Sequence, residues 1–328
     1  MADEKTGVLL TNLGSPDAPT PAALRRYLAE FLRDPRIVDL NRFLWLPVLY
    51  GIILNTRPRR SAHAYARVWS PDGAPLLAIT RRQAAVVEAA LQARLDPAPV
   101  VAVGMRYGNP SVRSGLESLR EQGCARVLVF PLYPQYFSGT TGSTFDAVAK
   151  TLCTWRFVPA LRTIGDYHDD PAYVAALARS VRELWDRDGM PERILFSFHG
   201  IPVRYEESGD PYPRQCRRTA TLLANALELP YERWLLSFQS RFGREKWLEP
   251  YTDHTLKAWG RDGVQSVDVI CPGFSADCLE TLEEIALLNR DFFTAAGGRK
   301  FRYIPALNDR PDHVTALTDL ICTNLAGW

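Results

Sequence analysis

The sequence lacks the features that commonly place a protein on nucleic acid or across a membrane. Its 39 Lys and Arg nearly balance 37 Asp and Glu, which gives a net charge of +2 over 328 residues, so there is no broad basic field to attract nucleic acid. No apolar run approaches the roughly 20 residues that a membrane-spanning helix needs. The first residues lack the basic and apolar regions of a signal peptide. We therefore expect a cytoplasmic protein without nucleic-acid partners.

Cysteines are few and widely spaced. The six cysteines form no CxxC pair, and the closest two, Cys271 and Cys278, are seven residues apart. Zinc ribbons and most iron–sulfur sites need tighter clustering. We expect reduced, mostly buried thiols, as is typical of cytosolic proteins.

The glycine-rich fingerprints of nucleotide-binding proteins are also missing. Residues 10–16 close the first predicted strand with Gly14 alone, where a dinucleotide fold would show GxGxxG. Residues 138–144 open a helix with small residues whose backbone N–H groups suit a phosphate or a carboxylate, but the Gly-Lys-Ser/Thr ending of a P-loop is absent. Simple capping of the helix explains the same residues, so both interpretations stay open.

Apolar, β-branched runs alternate with helical patterns along almost the whole chain. This alternation predicts an α/β fold with parallel sheets, and eight strands over this length favour two doubly wound domains over one barrel. We predict domains at residues 1–168 and 169–328. The strands are predicted at residues 8–12, 100–105, 127–132, 157–161, 194–198, 235–238, 267–270 and 301–304, with helices between them that include residues 75–95, 171–185, 213–227 and 278–293.

One segment breaks this rhythm. Residues 43–54 are apolar and uncharged, and arginines flank them within a hydrophobic lip of about residues 41–60. Pro47 and Gly51 make an uninterrupted helix unfavourable here. Two interpretations stay open: a buried core helix, or a surface that inserts shallowly into an anionic membrane or lines an apolar ligand site.

An acidic row follows the seventh predicted strand. Read as a helix, residues 275–285 place Asp277, Glu280 and Glu284 on one face, with apolar residues on the other. Acids at a helix start are ordinary, but sites in open α/β folds lie just past the carboxyl ends of strands. A carboxylate row in that place can hold or pass on a divalent cation.

A histidine ends the fifth predicted strand. His199 closes an apolar run and precedes Gly200, which places it where it can face a cleft. Imidazole suits proton transfer at neutral pH and the binding of a transition metal. From the strand pattern alone, a structural histidine with satisfied hydrogen bonds explains the position equally well.

Taken together, these segments resemble the ferrochelatase family, whose members insert Fe(II) into protoporphyrin to make protohaem. The matching stretches follow the family's order and span residues 7 to about 310. Each is weakly specific alone, and the ordered set is strongly specific. They are Leu10-Thr-Asn-Leu-Gly-Ser-Pro16, Met105-Arg-Tyr107, Tyr133-Pro-Gln-Tyr136 with Thr140-Thr-Gly-Ser143, Ser197-Phe-His-Gly-Ile-Pro202, Gly209-Asp-Pro-Tyr-Pro213, Phe238-Gln-Ser-Arg-Phe-Gly243 with Trp247, and Ser275-Ala-Asp-Cys-Leu-Glu-Thr-Leu282.

The resemblance implies two Rossmann-like domains with a porphyrin cleft between them, a chelatase-like arrangement. The family's invariant histidine falls on His199 and its essential glutamate on Glu280, and both are implied as catalytic residues and metal ligands. A proton or metal relay is implied for Asp277, Glu283 and Glu284. The implied porphyrin-binding positions are Leu13, Arg57, Tyr65, Arg106, Tyr107, Trp247 and Phe274.

The sequence departs from the family pattern at three places. Cys278 stands where many relatives have histidine, and Ala74 replaces a serine that contacts a propionate in some members. The C-terminal cysteine cluster of the animal enzymes is missing, with Cys322 alone in that region. We therefore expect no [2Fe–2S] cluster and no prosthetic group, with Fe(II) as a substrate.

The resemblance implies the last step of haem biosynthesis, in which Fe²⁺ and protoporphyrin IX give protohaem and two protons. Two alternatives stay open: a non-catalytic carrier of a tetrapyrrole or a metal, and a cobalt or nickel chelatase acting on another tetrapyrrole. The division of metal and proton handling between His199 and Glu280 is also open. We further expect a monomer that touches the inner face of the membrane peripherally through residues 43–54.

Overall fold

The computed structural model describes residues 5–243 and 245–328. These residues form eight strands, β1 to β8: Lys5–Ser15, Val100–Gly108, Cys124–Pro131, Ala160–Thr163, Arg193–His199, Trp234–Gln239, Ser266–Ile270 and Lys300–Ile304. They form twelve α-helices, α1 to α12: Pro21–Leu32, Arg42–Val48, Leu54–Val68, Pro75–Gln92, Val112–Glu121, Ser143–Leu152, Pro171–Asp188, Val203–Glu207, Tyr212–Ala226, Thr252–Arg261, Arg290–Ala295 and Pro311–Leu325. Three π-helical segments, Leu49–Ile53, Ser138–Gly142 and Glu280–Asn289, and the 3₁₀ turn Tyr231–Arg233 complete the helical elements of these residues.

The strands make two four-stranded sheets in which every neighbouring pair is parallel. Their orders are β2-β1-β3-β4 and β6-β5-β7-β8. The predicted α/β class with parallel sheets is therefore confirmed, and all eight predicted strands are present. The fourth begins at Ala160 rather than at residue 157, since Phe157 and Val158 lie exposed before the pairing with β3 begins.

The chain divides into two compact units. The N-terminal unit comprises the chain up to Leu132, Phe137–Asp166 and Val314–Trp328, and the C-terminal unit comprises Tyr133–Tyr136 and Tyr167–His313. Each unit contains one of the two sheets.

The end of the chain groups with the N-terminal unit, whereas we predicted it in the second domain. Asp319 in α12 forms an ion pair with Arg94 at 2.7 Å, and Arg162 donates to the carbonyl oxygen of Asn324 at 2.7 Å. These contacts join segments far apart in sequence, so no local pattern reveals them. The main division lies close to the predicted boundary at residues 168/169.

Each sheet has its own apolar core. In the N-terminal unit Leu9, Val127 and Val129 of the strands pack with Leu116 and Leu119 of α5. Burial of each such side chain stabilises the fold by about 1.5–3 kcal/mol. The corresponding core of the C-terminal unit contains Leu195, Leu256, Val267, Val269, Cys271, Ile285 and Phe293.

The apolar segment, residues 43–54, is not one continuous α-helix. It is divided among α2, the π-helical turn Leu49–Ile53 and the first residue of α3, with Pro47 inside α2 and Gly51 inside the turn. This agrees with the expectation from those two residues. In the described part of the chain, no helix combines the length and apolar character needed to cross a membrane.

Much of the apolar segment is exposed. Phe43 is 90 % exposed, Leu44 73 % and Ile52 58 %, whereas Leu49 and Leu54 are buried. The buried core helix, one of the two interpretations left open by the sequence, therefore does not describe this segment. Its buried residues anchor it to the N-terminal unit and its other apolar residues form a surface.

Candidate active site

His199 is the last residue of β5, an inner strand of the C-terminal sheet. The half-buried imidazole places Nδ1 2.6 Å from the carbonyl oxygen of Gly200. Because a carbonyl only accepts hydrogen bonds, this contact requires a proton on Nδ1, and in the matching neutral tautomer the lone pair is on Nε2. The hydroxyl of Tyr212 donates to the His199 carbonyl at 3.0 Å, which holds the backbone here. The strand end therefore presents a base in a defined tautomer.

Gly200 allows neighbours to pack closely behind His199. A Cβ at this position would lie 2.8 Å from the Gln239 carbonyl oxygen and 3.2 Å from Cε3 of Trp247. Trp247 is 5 % exposed and meets the ring of Phe242 at a centroid distance of 4.9 Å. Its buried Nε1 has no hydrogen-bond partner among the residues that the structure describes. The predicted porphyrin-stacking residue therefore lies beside the His199 strand end, with little of its ring exposed.

The two glutamates of the acidic row, Glu280 and Glu284, lie on a π-helix rather than on the α-helix that the sequence predicted. Segment Glu280–Asn289 has the wider i→i+5 turn, and the side-chain amide of Asn289 donates to the carbonyl oxygen of Glu284, five residues earlier, at 2.8 Å. Glu280, Glu283 and Glu284 are half-buried in this segment. π-Helical turns inside helices often mark functional sites.

Glu284 is held by the residue that follows β6. The backbone N–H of Ser240 donates to Glu284 Oε1 at 2.8 Å, and the Ser240 hydroxyl donates to Oε2. The pKa of Glu284 is raised to about 7, mainly by burial and in smaller part by the negative charges of Glu280 and Glu283, while the two hydrogen bonds from Ser240 oppose the rise. Glu284 can therefore gain or lose a proton near neutral pH.

Asp277 has a different environment from the rest of the predicted relay. Its carboxylate accepts hydrogen bonds from Tyr303 at 2.6 Å, Thr281 at 2.8 Å and Asn308 at 2.7 Å, and its N–H donates to Asn308 Oδ1 at 2.8 Å. These bonds fasten the turn before the π-helix to β8 and the loop after it. The contacts are those of a structural anchor, and they give no support to a relay function.

Gln239 links the histidine strand to the acidic helix. It pairs with His199 in the parallel register of β5 and β6, and its Nε2 donates to the carbonyl oxygen of Glu280 at 3.1 Å. The structure thus brings His199 and Glu280 to the same edge of one sheet. Sequence reasoning missed Gln239 and Ser240 as functional residues, although both lie in the family-like stretch 238–243 directly after a predicted strand.

Two buried thiols lie in the same region. Burial raises the pKa of Cys271 and of Cys278 well above its ordinary value, so both stay protonated and are poor metal ligands at neutral pH. Across the described residues, no three or more His, Cys, Asp or Glu side chains are arranged to hold a metal ion. Metal binding by His199 and Glu280 stays a prediction.

Arg106 and Tyr107 belong to a polar cluster of the N-terminal unit. Asp34, which sequence reasoning missed, accepts hydrogen bonds from the Tyr107 hydroxyl at 2.8 Å, from Ser143 at 2.5 Å and from the Arg106 guanidinium. Burial alone would raise the pKa of Asp34, but these hydrogen bonds and the Arg106 charge lower it. Tyr107 has no exposed surface, so in this conformation its ring cannot make the predicted contact with a porphyrin.

The remaining predicted porphyrin-binding residues lie on separate elements. Leu13 is half-buried near the end of β1, and Tyr65 is buried on α3. Arg57 is also on α3, where burial and then the charge of Arg60 lower its pKa. Phe274 packs against the core of the C-terminal unit. Their contacts with a porphyrin stay predictions.

The chain is similar to known proteins over nearly its whole length. The family model described as Ferrochelatase matches residues 5–325. A protein named ferrochelatase from Thioalkalivibrio sulfidiphilus is 58 % identical over 99 % of this chain and 88 % of its own length. Another protein of that name, from Nitrosococcus oceani, is 54 % identical with the same coverage.

Solved structures show the same fold at low sequence identity. SirB from Bacillus subtilis, solved with Fe³⁺, has a TM-score of 0.57 and 13 % identity, and the match covers 98 % of this chain and 96 % of SirB. CbiX, described as the terminal enzyme for biosynthesis of siroheme in denitrifying bacteria, has a TM-score of 0.54 and 14 % identity, with 98 % of this chain and 100 % of CbiX covered. Those two matches establish the chelatase fold alone. The family match and the two relatives of more than half identity show that the chain belongs to the ferrochelatase family.

Proposed function

We propose that this chain inserts Fe²⁺ into protoporphyrin IX, as the last step of haem biosynthesis, with His199 and Glu280 as the working pair. As a member of the ferrochelatase family it is a lyase that inserts a metal into a porphyrin. The observation that carries the residue assignment is the meeting of β5 and the acidic π-helix through Gln239. It supports the assignment because it joins the backbone at His199 to the backbone carbonyl of Glu280, two residues that are far apart in the chain.

The reaction requires a site that removes two pyrrole protons and admits the metal to the centre of the porphyrin. The two pyrrole N–H protons must leave the centre of the macrocycle, but a planar ring points its hydrogens and lone pairs inward. A bent ring exposes them to a base and to the metal. The energy for bending must come from binding elsewhere on the substrate. We assign that binding to aromatic contacts with Trp247 and Phe274, and to basic groups such as Arg57 that hold the propionates.

His199 is suited to act as the proton acceptor. Its Nδ1–H is committed to the Gly200 carbonyl, so the unprotonated Nε2 is the nitrogen that accepts a pyrrole proton. When the ring becomes cationic, the Nδ1–H keeps the same partner, so the imidazole does not have to turn. A general base of this kind contributes about 10²–10⁴ in rate.

Glu280 is suited to bind the metal weakly. Carboxylate and imidazole are acceptable ligands for Fe²⁺, and a site with few strong ligands lets the ion pass to the porphyrin. The protonated thiols of Cys271 and Cys278 would not compete for it. Glu284, with a pKa of about 7, can take protons onward at neutral pH.

One assay distinguishes Fe²⁺ insertion into protoporphyrin from two other activities. A tetrapyrrole carrier would bind porphyrin without turnover, because it needs aromatic and propionate contacts but no base. A cobalt or nickel chelatase would prefer another metal and another tetrapyrrole. The apolar surface at residues 43–54 favours a dicarboxylate porphyrin over one with many carboxylates.

The test is anaerobic incubation of the full chain with Fe²⁺ and protoporphyrin IX, followed through the Soret band. We expect haem in excess of one equivalent per chain. Product that stops at or below one equivalent would identify a carrier. Turnover confined to Co²⁺ or Ni²⁺ with a more acidic tetrapyrrole would identify the other chelatase activity.

We also propose peripheral attachment to the cytoplasmic face of the membrane through residues 43–54. Replacement of Leu44 and Ile52 by Ser should weaken co-sedimentation with vesicles of anionic lipid and leave the thermal unfolding midpoint unchanged. Phe157→Ser, at another exposed apolar residue of the N-terminal unit, is the matched control and should retain attachment. Equal sedimentation of all three proteins would contradict the proposal.

Finally, we propose a monomer without a resident cofactor, for which Fe²⁺ is a substrate only. Light scattering on a size-exclusion column should give the mass of one chain, 36.9 kDa. Metal and sulfide analysis of the purified protein should find no stoichiometric iron–sulfur cluster. A dimer mass, or stoichiometric iron and sulfide, would contradict these two statements.

A further inference from the structure

The side-chain amide of Gln239 is buried and fixed at both ends. The residue is 3 % exposed. Its Oε1 accepts from the hydroxyl of Ser197 at 2.7 Å and lies 3.6 Å from the thiol of Cys271. Its Nε2 donates to the Glu280 carbonyl oxygen at 3.1 Å. A flipped amide would set N–H against both donors and oxygen against a carbonyl, so this orientation is specified.

A chain of hydroxyls reinforces that orientation. Ser197 Oγ lies 2.8 Å from Thr252 Oγ1, which lies 2.8 Å from Ser237 Oγ. Because Ser197 gives its proton to Gln239, it accepts from Thr252, and Thr252 in turn accepts from Ser237. All four residues are buried, and hydrogen bonds that run in one direction through a protein interior strengthen one another.

The backbone of the same residue holds the histidine strand. The N–H of Gly200 donates to the carbonyl oxygen of Gln239 at 2.8 Å, and Gln239 pairs with His199 in the sheet. One residue therefore touches the strand end that carries His199 through its main chain, and the first turn of the helix that carries Glu280 through its side chain.

We infer that Gln239 is a positioning residue for metal insertion, which sets the place of Glu280 relative to His199. This inference rests on the proposed function of that pair. Gln239 is not placed as a catalytic residue, because its Oε1 and one N–H of its Nε2 are bonded to protein groups. A misplacement of about 1 Å in a catalytic arrangement can cost about 100-fold in rate, and the Glu280 carbonyl has this one side-chain amide to hold it among the described contacts.

Two variants of similar size test the inference. Gln239→Met removes the hydrogen bonds of the side-chain amide, and Gln239→Glu keeps an acceptor for Ser197 but replaces the donor to Glu280. We expect kcat for Fe²⁺ insertion to fall by about 10- to 100-fold in both, while the KM for porphyrin stays unchanged. Trp185→Phe is the control, because it removes another buried donor of the same unit, the one that Trp185 gives to Asp268 at 2.8 Å. It should keep the parental kcat.

A double-mutant cycle separates positioning from general loosening. If Gln239 works through Glu280, then Gln239→Met should slow residual Zn²⁺ insertion far less in a Glu280→Gln background than in the parent. The inference is overturned if the folded Gln239 variants keep the parental kcat, or if the full loss persists in that background. Should Gln239→Met fail to fold, the same measurements on Gln239→Glu decide. A parent chain that inserts no metal would refute the proposed function instead.

Discussion

The two sheets share one topology but carry different chemistry. In each, the first strand of the unit lies between the second and the third, and the fourth is at the edge. The first strands, β1 and β5, end in similar sequences, Leu13-Gly14-Ser15-Pro16 and His199-Gly200-Ile201-Pro202. The apolar Leu13 of the N-terminal sheet thus stands where the C-terminal sheet has its imidazole.

The resemblance extends to the helix after the third strand. It begins with a π-helical segment in both units, Ser138–Gly142 and Glu280–Asn289. The first contains only small residues and precedes Ser143, which hydrogen-bonds Asp34 in the polar cluster of the N-terminal unit. The second contains three glutamates. The fold offers the same kind of strand-end location twice, and the side chains decide which of the two can carry out proton and metal chemistry.

The largest effect should come from the acidic π-helix. Glu280→Gln keeps the size of the side chain and removes the charge, so kcat should fall by about 10²–10³-fold while porphyrin binding, measured by quenching of porphyrin fluorescence, is kept. Glu117→Gln, at a half-buried acid on α5 of the other unit, should have the parental rate. If Glu280→Gln inserts Zn²⁺ as fast as the parent, the acidic row serves only to stabilise its helix.

The two equivalent glycines should respond differently to alanine. Gly14 has a φ of +106°, and a Cβ there would lie 1.8 Å from the Tyr107 carbonyl oxygen, whereas a Cβ on Gly200 would lie 2.8 Å from that of Gln239. We expect Gly14→Ala to cost about 3 kcal/mol or more and Gly200→Ala about 1–2 kcal/mol in urea unfolding.

Activity should show the opposite order among the folded fraction of these two variants. Gly200→Ala disturbs the strand end next to His199 and should lower kcat, and Gly14→Ala should alter stability more than kcat. Equal losses of stability with equal losses of kcat would mean that the two strand ends are not functionally distinct.

The smallest effect should be a dependence of stability on pH. The folded state keeps the Glu284 proton up to a pKa of about 7, whereas the ordinary value is 4.5. The contribution of Glu284 to the free energy of unfolding is therefore fully present below pH 4.5 and is lost as the pH rises towards 7. Glu284→Gln has no such loss. Between about pH 5 and about pH 8 its free energy of unfolding should therefore rise by on the order of 2 kcal/mol relative to that of the parent.

Glu183 provides a control with the opposite sign. Its hydrogen bond from Arg310 lowers its pKa, so its contribution is lost only as the pH falls below the ordinary value. The difference in free energy of unfolding between Glu183→Gln and the parent should stay constant over the same pH range. A flat difference for Glu284→Gln as well would show that the Glu284 pKa is not raised.

Much of the fold could be predicted from sequence because its information is local. Apolar β-branched runs marked all eight strands, and the strand pattern placed His199 at a carboxyl end. The type of the acidic helix could not be predicted, since a π-helix and an α-helix bury similar apolar patterns. The divided apolar segment was foreseen through Pro47 and Gly51, but which of its residues are exposed was not.

The rest of the site depends on contacts between distant residues. Asp277 is anchored by Tyr303 and Asn308, and nothing near Asp277 in sequence distinguishes it from Glu284, which is held by Ser240. The bridging amide of Gln239 likewise has meaning only once β5, β6 and the π-helix are assembled. Such partners follow from topology, which a single sequence specifies less directly than its strands and helices.

The central claim is that proton transfer belongs to the end of β5 and not to the equivalent end of β1. It is tested most directly by metal-insertion kinetics of His199→Ala beside Leu13→Ala. We expect His199→Ala to lower kcat by at least about 100-fold with porphyrin still bound, and Leu13→Ala to keep its kcat and raise only the KM for porphyrin. A His199→Ala variant with near-parental kcat would contradict the account.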